Sequence, residues 1–268
     1  MAFLDERFRQ LIQADTDRKL FIQSYLKDVG LDCLVIPIEG KEHLYVNFPK
    51  NQYNSIFKIK TIIAHYDRVP GSPGANDNSS SVYAFLQFAK RLKAKPGSHN
   101  VRMIFSDGEE NGEDGVASQG AFGLAKLFKR LGITKDDVFA FDCMGRGAIP
   151  VLSETVIPKR APRSFIRDFV ELEERAEKII RNASAKGWMK LPCNYSDNAG
   201  FIANGIPAVA FTMLPSDEID AFLKNGTKPA TWQKLHTMED NLQSLEEKAF
   251  EITARILDNI ADLRTVSR

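Results

Sequence analysis

The sequence lacks the features that mark disulfide-rich, membrane-spanning and nucleic-acid-binding proteins. Its 268 residues include only three cysteines, Cys33, Cys143 and Cys193, without C-x-x-C spacing, which argues against a disulfide framework and favours a reducing compartment. Thirty-six basic residues balance 35 acidic ones, so the net charge of +1 gives no electrostatic case for nucleic acid or a membrane surface as partner. No apolar run approaches the roughly 20 residues that span a bilayer.

The sequence also shows neither a signal peptide nor a boundary between domains. The first residues, Met-Ala-Phe-Leu-Asp-Glu-Arg, do not contain the apolar segment of a signal peptide, so we expect a cytoplasmic protein. We find no linker, internal repeat or low-complexity tract that would mark a second domain. We therefore expect one domain over residues 1–268, with residues 1–30 as a helical N-terminal cap; the oligomeric state stays open.

Alternating strand and helix patterns indicate the fold class. Apolar runs at 57–64, 101–105, 138–141 and 208–211 are typical of buried strands, and stretches with helical periodicity separate them. This order predicts a three-layer α/β/α sandwich around a mixed, largely parallel central sheet. Residues 214–235, with two prolines, are predicted to be irregular, and a capping box at 244–247 is predicted to open the last helix.

The most informative stretch is the end of the strand at 57–64 and the glycine-rich loop after it. His65 and Asp67 are two residues apart, so their side chains project to the same side of an extended chain. A metal-bound imidazole usually donates its other ring N–H to a carboxylate, and Asp67 suits that role. Asp77 follows in the loop, just before a helix, where the helix dipole favours a carboxylate.

Further acidic and imidazole groups follow later strands. Glu109 and Glu110 come after the strand at 101–105, Asp142 follows the strand at 138–141, and His236 lies in a loop before the last helix. Because sites in open α/β sheets are built at the carboxyl ends of strands, we expect these groups to meet. The other two histidines, His43 and His99, lie in polar turns and are predicted to be at the surface.

Together, the candidate ligands are two imidazoles and three carboxylates: His65, Asp77, Glu110, Asp142 and His236. This mixture of nitrogen and oxygen donors suits zinc or a similar divalent ion. Five ligands exceed what one catalytic zinc needs and fit two metals about 3.5–4 Å apart, with Asp77 as the bridge. Glu109 then remains as a general base towards water, which predicts metal-assisted amide hydrolysis.

Six motifs in this order resemble the co-catalytic zinc exopeptidases of the bacterial leucyl aminopeptidase type. The resemblance covers about residues 57–245; the motifs are His65-Tyr66-Asp67, the loop 74–80, Asp107-Gly108-Glu109-Glu110, Phe141-Asp142, Ser196-Asp197 and His236-Thr237. It implies a zinc-exopeptidase fold, His65, Asp77 and Asp142 on one zinc, and Asp77, Glu110 and His236 on the other. It also implies Asp67 behind His65, Glu109 as base and a peptide as substrate. Ser81, where the family often has glycine, is a departure.

The resemblance leaves the member of the family open. Glutaminyl cyclases look like single-zinc relatives in which the counterparts of Asp142 and Asp197 form a hydrogen-bonded pair, and the motif 236–241 is close to their form. The loop at 74–80 and the Glu-Asn-Gly run beginning at Glu110 look more like the peptidases, so an aminopeptidase is favoured over a cyclase. A protein of this family that binds peptide or metal without turnover is a further alternative, against which the intact Glu109 argues.

The residues around the substrate are less well defined by sequence. Asp197 is predicted either as a helix N-cap or as a carboxylate behind the ligands. Aromatic side chains in loops that could face a peptide are Tyr195, Trp188 and Trp232.

Overall fold

A computed structural model of the protein, which describes residues 3–110 and 115–267, contains one mixed sheet with helices on both faces. The strands among the described residues are β1 (Asp32–Ile38), β2 (Lys41–Asn47), β3 (Lys60–His65), β4 (Val101–Ser106), β5 (Asp137–Phe141), β6 (Ile149–Ser153), β7 (Met189–Leu191) and β8 (Ala208–Leu214). Their order across the sheet is β1-β2-β4-β3-β5-β8-β6-β7, with four parallel and three antiparallel neighbour pairs. The predicted fold class is confirmed.

Nine α-helices lie in the described part of the chain: α1 (Glu6–Leu11), α2 (Arg18–Asp28), α3 (Ser81–Ala94), α4 (Gly120–Arg130), α5 (Arg163–Ala183), α6 (Asn198–Ala203), α7 (Ser216–Asn225), α8 (Ala230–Lys234) and α9 (Glu247–Asp262). No helix within residues 3–110 and 115–267 combines the length and apolarity needed to cross a bilayer.

Successive residues of the central strands face opposite helical layers. In β3, Ile62 and Ala64 pack in the larger core with α2, α3, α5 and α9, whereas Ile63 packs in the smaller core with α4 and α6. In β5, Phe139 and Ala140 divide between the two cores in the same way. This alternation follows from the two-residue period of a strand, and it explains why strands buried on both faces read as continuous apolar runs.

Two parts of the helix prediction were wrong. The region 214–235, predicted to be irregular, contains α7 and α8. Its two prolines do not interrupt these helices, because Pro215 and Pro229 each stand immediately before a helix, where a missing N–H costs no hydrogen bond. Ser244 belongs to a short 3₁₀ turn rather than to a capping box, and α9 begins only at Glu247. The Glu247 carboxylate accepts hydrogen bonds from the backbone N–H groups of Phe3 and Leu4 instead.

The prediction that His43 and His99 lie at the surface was also wrong, since both are fully buried. Nδ1 of His43, in β2, accepts a hydrogen bond from the Asp107 backbone N–H (3.2 Å). Nδ1 of His99 accepts from the Val101 N–H, so Nε2 carries the proton and donates to Gln52 (2.8 Å). Burial lowers the pKa of each imidazole to about 4, so both are neutral structural groups at neutral pH.

The three central parallel strands bring the candidate loops together. β4, β3 and β5 are neighbours in the sheet, and their carboxyl ends carry Glu109 and Glu110, His65 to Asp77, and Asp142 respectively. Asn111 and Gly112, which belong to the Glu-Asn-Gly run that begins at Glu110, lie outside the described residues.

Gly200 in α6 allows close packing on α4 and gives a test of the fold. A Cβ at this position would lie 2.5 Å from the backbone nitrogen of Phe122 and 2.6 Å from the carbonyl carbon of Ala121. We expect Gly200→Ala to lower the free energy of unfolding by about 1–3 kcal/mol, measured by urea denaturation, because backbone atoms cannot move aside.

Gly123→Ala in α4 is the matched control for this prediction. Its Cβ would meet only the Ile38 methyl group closely, at 2.9 Å, and that side chain can shift. Since alanine favours a helix over glycine by about 1 kcal/mol, the control should be neutral or slightly stabilising. Equal losses in the two variants would contradict the packing argument.

Candidate metal centre

The structure brings together all five ligands proposed from the sequence. His65, Asp77 and Asp142 form one set whose nitrogen and oxygen ligand atoms lie within 4.8 Å of one another, and Asp77, Glu110 and His236 form a second. The two sets are those that the family resemblance implies, and they share Asp77. Glu109 forms a further set of this kind with His65 and Glu110.

Asp77 divides its two carboxylate oxygens between the two histidines. Oδ1 lies 3.2 Å from Nε2 of His65, and Oδ2 lies 3.2 Å from Nε2 of His236. Nε2 of His65 is also 3.6 Å from Asp142 Oδ1, and Nε2 of His236 is 3.1 Å from Glu110 Oε2. This is the arrangement expected of a carboxylate that contributes one oxygen to each of two cation sites.

The loop around Asp77 is held by a carboxylate that the sequence analysis missed. Asp240 accepts hydrogen bonds from the backbone N–H groups of Asn76 (2.7 Å) and Asp77 (3.0 Å), and its own carbonyl accepts from Ala75 N–H (3.1 Å). The only signal in the sequence was its place in the motif that begins at His236. Through Asp240, the His236 loop fixes the backbone that presents Asp77.

The side chains on either side of Asp77 fix the loop of Asp142. Asn78 donates from Nδ2 to the carbonyl of Phe141 (2.8 Å) and accepts at Oδ1 from the N–H of Cys143 (3.3 Å), so it holds both neighbours of Asp142. Asn76 Oδ1 accepts from the N–H of Gly145 (2.8 Å). The peptide bond between Asp77 and Asn78 is cis. Through their hydrogen bonds, the Asn76 and Asn78 side chains position the loop that carries the candidate ligand Asp142.

Asp67 links His65 to the acidic loop. Its Oδ1 lies 3.5 Å from Nδ1 of His65, as expected of the carboxylate behind a ligating imidazole. The same carboxylate accepts hydrogen bonds from the backbone N–H groups of Glu109 (3.2 Å) and Glu110 (3.0 Å). One side chain thus faces the imidazole of a candidate ligand, His65, and anchors the loop that carries another, Glu110.

Two non-glycine residues at the centre adopt left-handed backbone conformations. His236 has φ of 63° and Cys143, directly after Asp142, has φ of 55°. Such conformations are uncommon outside glycine, asparagine and aspartate, and they concentrate at functional sites. The backbone at these positions is shaped to present the His236 and Asp142 side chains.

Burial and the closeness of several carboxyl groups shift the pKa values of the side chains at the centre. Burial raises the pKa of Glu109 well above its usual range, and repulsion by Asp142 and Asp197 adds to the shift. Burial and the charge of Asp77 raise the pKa of Glu110 to about 8. The hydrogen bond to Asp77 raises the pKa of His236 to about 9. Burial alone would lower the pKa of His65, but the carboxylates that face the imidazole have the larger effect and raise its pKa well above the usual value. The raised pKa values of the two glutamates reflect the cost of negative charge at this site, and a bound cation would lower that cost.

Buried polar atoms without hydrogen-bond partners are a second indication that these residues suit a divalent metal. His65 is fully buried, yet within the described part of the chain neither of its ring nitrogens makes a hydrogen bond of good geometry. Glu110 Oε1 is likewise buried and unpartnered among the described residues. Buried polar atoms are almost always satisfied, so the unpartnered Nε2 of His65, which faces Asp77 and Asp142, and the unpartnered Oε1 of Glu110 are suited to metal ligation.

Asp197 lies beside the centre and does not cap α6. Its Oδ2 accepts a hydrogen bond from Ser106 Oγ (2.7 Å), and α6 has no side-chain cap. Burial raises its pKa to about 6. The described contacts of Asp142 are with other residues than Asp197: its Oδ1 faces His65 and accepts a hydrogen bond from Cys143 Sγ (3.2 Å). Of the two roles that the sequence left open for Asp197, the position behind the ligands is the one that its contacts favour.

The aromatic candidates occupy different places. Trp232 lines a cavity of about 40 Å³ beside Asp142, together with Ser153, Cys193 and Thr212. Tyr195, 69% exposed, lines an adjoining cavity of about 180 Å³. Trp188 instead packs against the larger core and under the guanidinium of Arg181. Larger cavities, of about 490 and 710 Å³, lie beside α2 and α5, where the ligand sets are not.

Curated proteins with similar sequences are aminopeptidases or probable aminopeptidases. Over 54 residues, 20% of this chain and 12% of the relative, it is 47% identical to aminopeptidase YwaD of Bacillus subtilis (strain 168). Over 157 residues, 54% of this chain and 29% of the relative, it is 31% identical to the probable lipoprotein aminopeptidase LpqL of Mycobacterium tuberculosis (strain ATCC 25618 / H37Rv). The alignments thus span less than a third of either curated relative.

Solved structures share the fold at low sequence identity. The LapA aminopeptidase of Legionella pneumophila matches with a TM-score of 0.71 and 16% identity, over 96% of this chain and 69% of that one. A glutaminyl cyclase of Bacteroides thetaiotaomicron matches with a TM-score of 0.70 and 14% identity, over 98% and 97% of the two chains. Residues 48–261 match the family described as peptidase family M28, and with that match over most of its length the chain belongs to peptidase family M28.

Proposed function

We propose that this protein is a zinc-dependent aminopeptidase with two metal ions, in which Glu109 is the general base. The observation that carries the proposal is the division of Asp77 between His65 and His236, 3.2 Å from each. His65, Asp77 and Asp142 would hold one ion, and Asp77, Glu110 and His236 the other. Relatives named as aminopeptidases support the reaction class.

The bound ions would supply a lowered pKa for water and polarisation of the scissile carbonyl. Glu109 would take the proton from the attacking water and deliver it to the leaving amine. Gln119 Nε2 donates to Glu109 Oε1 (2.8 Å) and orients the carboxyl group, which would leave Oε2 for proton transfer. Asp67 would keep the His65 ring oriented and hold the backbone of Glu109 in place.

The charge of the site favours a peptide N-terminus over a C-terminus. Six carboxyl groups surround the centre: Asp67, Asp77, Glu109, Glu110, Asp142 and Asp197. Two divalent ions would not neutralise all six, so the site would attract the ammonium group of a peptide and repel its carboxylate. Trp232 and Tyr195 are candidates for contact with the substrate side chains. Trp188 packs against the larger core, so its position does not support such a contact.

A glutaminyl cyclase with one zinc is the second candidate, because a bacterial cyclase matches almost over its full length. The position of Asp142 favours the peptidase, since its Oδ1 faces His65 and the described contact of Asp197 is with Ser106. A protein that binds peptide without turnover would not need Glu109 beside the ligands. Both alternatives are distinguished by the assays below.

The number of ions gives the first test. We expect two zinc ions per wild-type chain by elemental analysis after equilibrium dialysis, and one in Asp142→Ala, because that residue belongs to one ligand set only. Asp77→Ala should lose tight binding of both. Asp258→Ala, which removes an exposed partner of Arg91, is the control and should bind two. One ion in the wild type, unaffected by Asp142→Ala, would favour the cyclase instead.

Reaction products give the second test. Incubated with peptides that begin with Leu or with Gln, the zinc-loaded protein should release the N-terminal residue, detected by mass spectrometry. Glu109→Gln should lower kcat by about 10²–10⁴-fold, the usual range for a general base, with zinc content unchanged. The exposed substitution Glu251→Gln should leave kcat unchanged.

Each alternative predicts a different product. Loss of ammonia alone from the Gln peptide would identify a cyclase. No change in either peptide would favour a binding protein, and full activity of Glu109→Gln would rule out the proposed base.

A further inference from the structure

Arg18 is a buried cation directly behind the loops that carry the candidate ligands. It is the first residue of α2, only 7% exposed, and it lies in the part of the chain that precedes the match to family M28. The sequence analysis assigned this region only to a helical cap. A guanidinium is seldom fully buried unless its donors are matched by acceptors, so its partners indicate what it does.

The guanidinium of Arg18 binds acceptors from two separate segments. Nη1 donates to the carbonyl oxygens of Tyr66 (3.1 Å) and Asp67 (3.2 Å), just after the ligand His65. Nη2 donates to the carbonyls of Pro73 (3.0 Å) and Gly74 (3.2 Å).

Nη2 also donates to Ser79 Oγ (2.6 Å), and that hydroxyl in turn donates to the Gly74 carbonyl (2.6 Å). The acceptors therefore stand on both sides of Asp77.

The geometry of these contacts, rather than the charge, is what can favour metal binding. Burial lowers the pKa of Arg18 to about 10, and the charges of Asp77, Asp67 and Asp240 limit the shift, so the group remains a cation at neutral pH. A fixed positive charge near a metal site opposes a metal cation. A planar guanidinium that joins the two segments, however, holds their ligands in place before the metal arrives.

We propose that Arg18 is a positioning residue for the metal centre: it joins the end of β3 to the loop of Asp77, and it thereby preorganises His65 and Asp77 for zinc. The inference rests on the proposed zinc site. It makes the N-terminal helices part of the metal centre, although they lie outside the family match.

Zinc affinity tests this role independently of catalysis. We expect Arg18→Met to bind zinc about 10- to 100-fold more weakly than the wild type, the range for residues that orient metal ligands, measured by competition with a chromophoric chelator. Arg18→Lys keeps the charge but places its three donors on one nitrogen, which cannot span five acceptors. It should therefore lose affinity to a similar extent.

A matched control separates positioning from general stability. Arg7 in α1 belongs to the same cap, but it pairs with Asp28 (3.0 Å), is half-exposed and makes its ion pair away from the loop. Arg7→Met should keep wild-type zinc affinity. Urea unfolding of the metal-free variants, measured beside the titrations, shows whether affinity is lost in a folded protein. If Arg18→Met does not fold, Ser79→Ala removes one of the five contacts and should weaken zinc about 3- to 10-fold.

The outcomes divide clearly. Weaker zinc binding by folded Arg18→Met and Arg18→Lys, or by Ser79→Ala if they do not fold, with Arg7→Met unchanged, supports the proposal. Wild-type affinity in Arg18→Met, even with reduced stability, overturns it, as does wild-type affinity in Arg18→Lys. If the Arg18 variants do not fold and Ser79→Ala binds zinc with wild-type affinity, the proposal also fails. Absence of zinc binding by the wild type itself would overturn the metal centre, and the inference with it.

Discussion

The mutual repulsion of carboxyl groups at one end of the sheet is the constraint on which the rest of the site depends. Like charges that are partly withdrawn from water repel strongly, so each needs donors or cations nearby. The surroundings provide them: Asp67 accepts from two backbone N–H groups, Asp197 from a serine hydroxyl and Glu109 from a glutamine amide. These donors hold the carboxylates in a fixed array. The array leaves two buried imidazole nitrogens of His65 facing oxygen atoms with which they make no good hydrogen bond.

The residues of the site that could be predicted from the sequence are those that belong to short local patterns. His65, Glu109, Glu110 and Asp142 each follow an apolar run, and a parallel sheet brings the carboxyl ends of such runs together. Their grouping therefore needed only the order of strands and helices. The residues that hold them could not be found in this way. Arg18 contacts residues 48 to 61 positions away, and Asp240 contacts Asn76 across 164 positions. Such pairs leave no periodic or local signal.

The errors in the fold have a similar cause. Polar neighbours suggested that His43 and His99 were exposed, but each finds its partners in a distant segment, Asp107 and Gln52 respectively. Ser244 and Glu247 have the spacing of a capping box, yet Glu247 is engaged by the N-terminal backbone. In each case a long-range contact outweighs a sound local rule. The error at α7 and α8 has another cause. Proline can either interrupt a helix or stand at its start, and Pro215 and Pro229 stand at the start of a helix.

The shared use of Asp77 has a consequence for how descendants of this scaffold can diverge. Under the proposed function with two ions, a lineage could lose one ion by changing Asp142 and keep the other three-residue set whole, because Asp142 belongs to only one set. Changing Asp77 would damage both sets in a single step, since each of its oxygens faces a different histidine. If the protein binds two ions as proposed, the loss of one ion would therefore be tolerated through a change of Asp142 but not through a change of Asp77. The bridging position should be the last of the five to vary in any relative that still uses a metal.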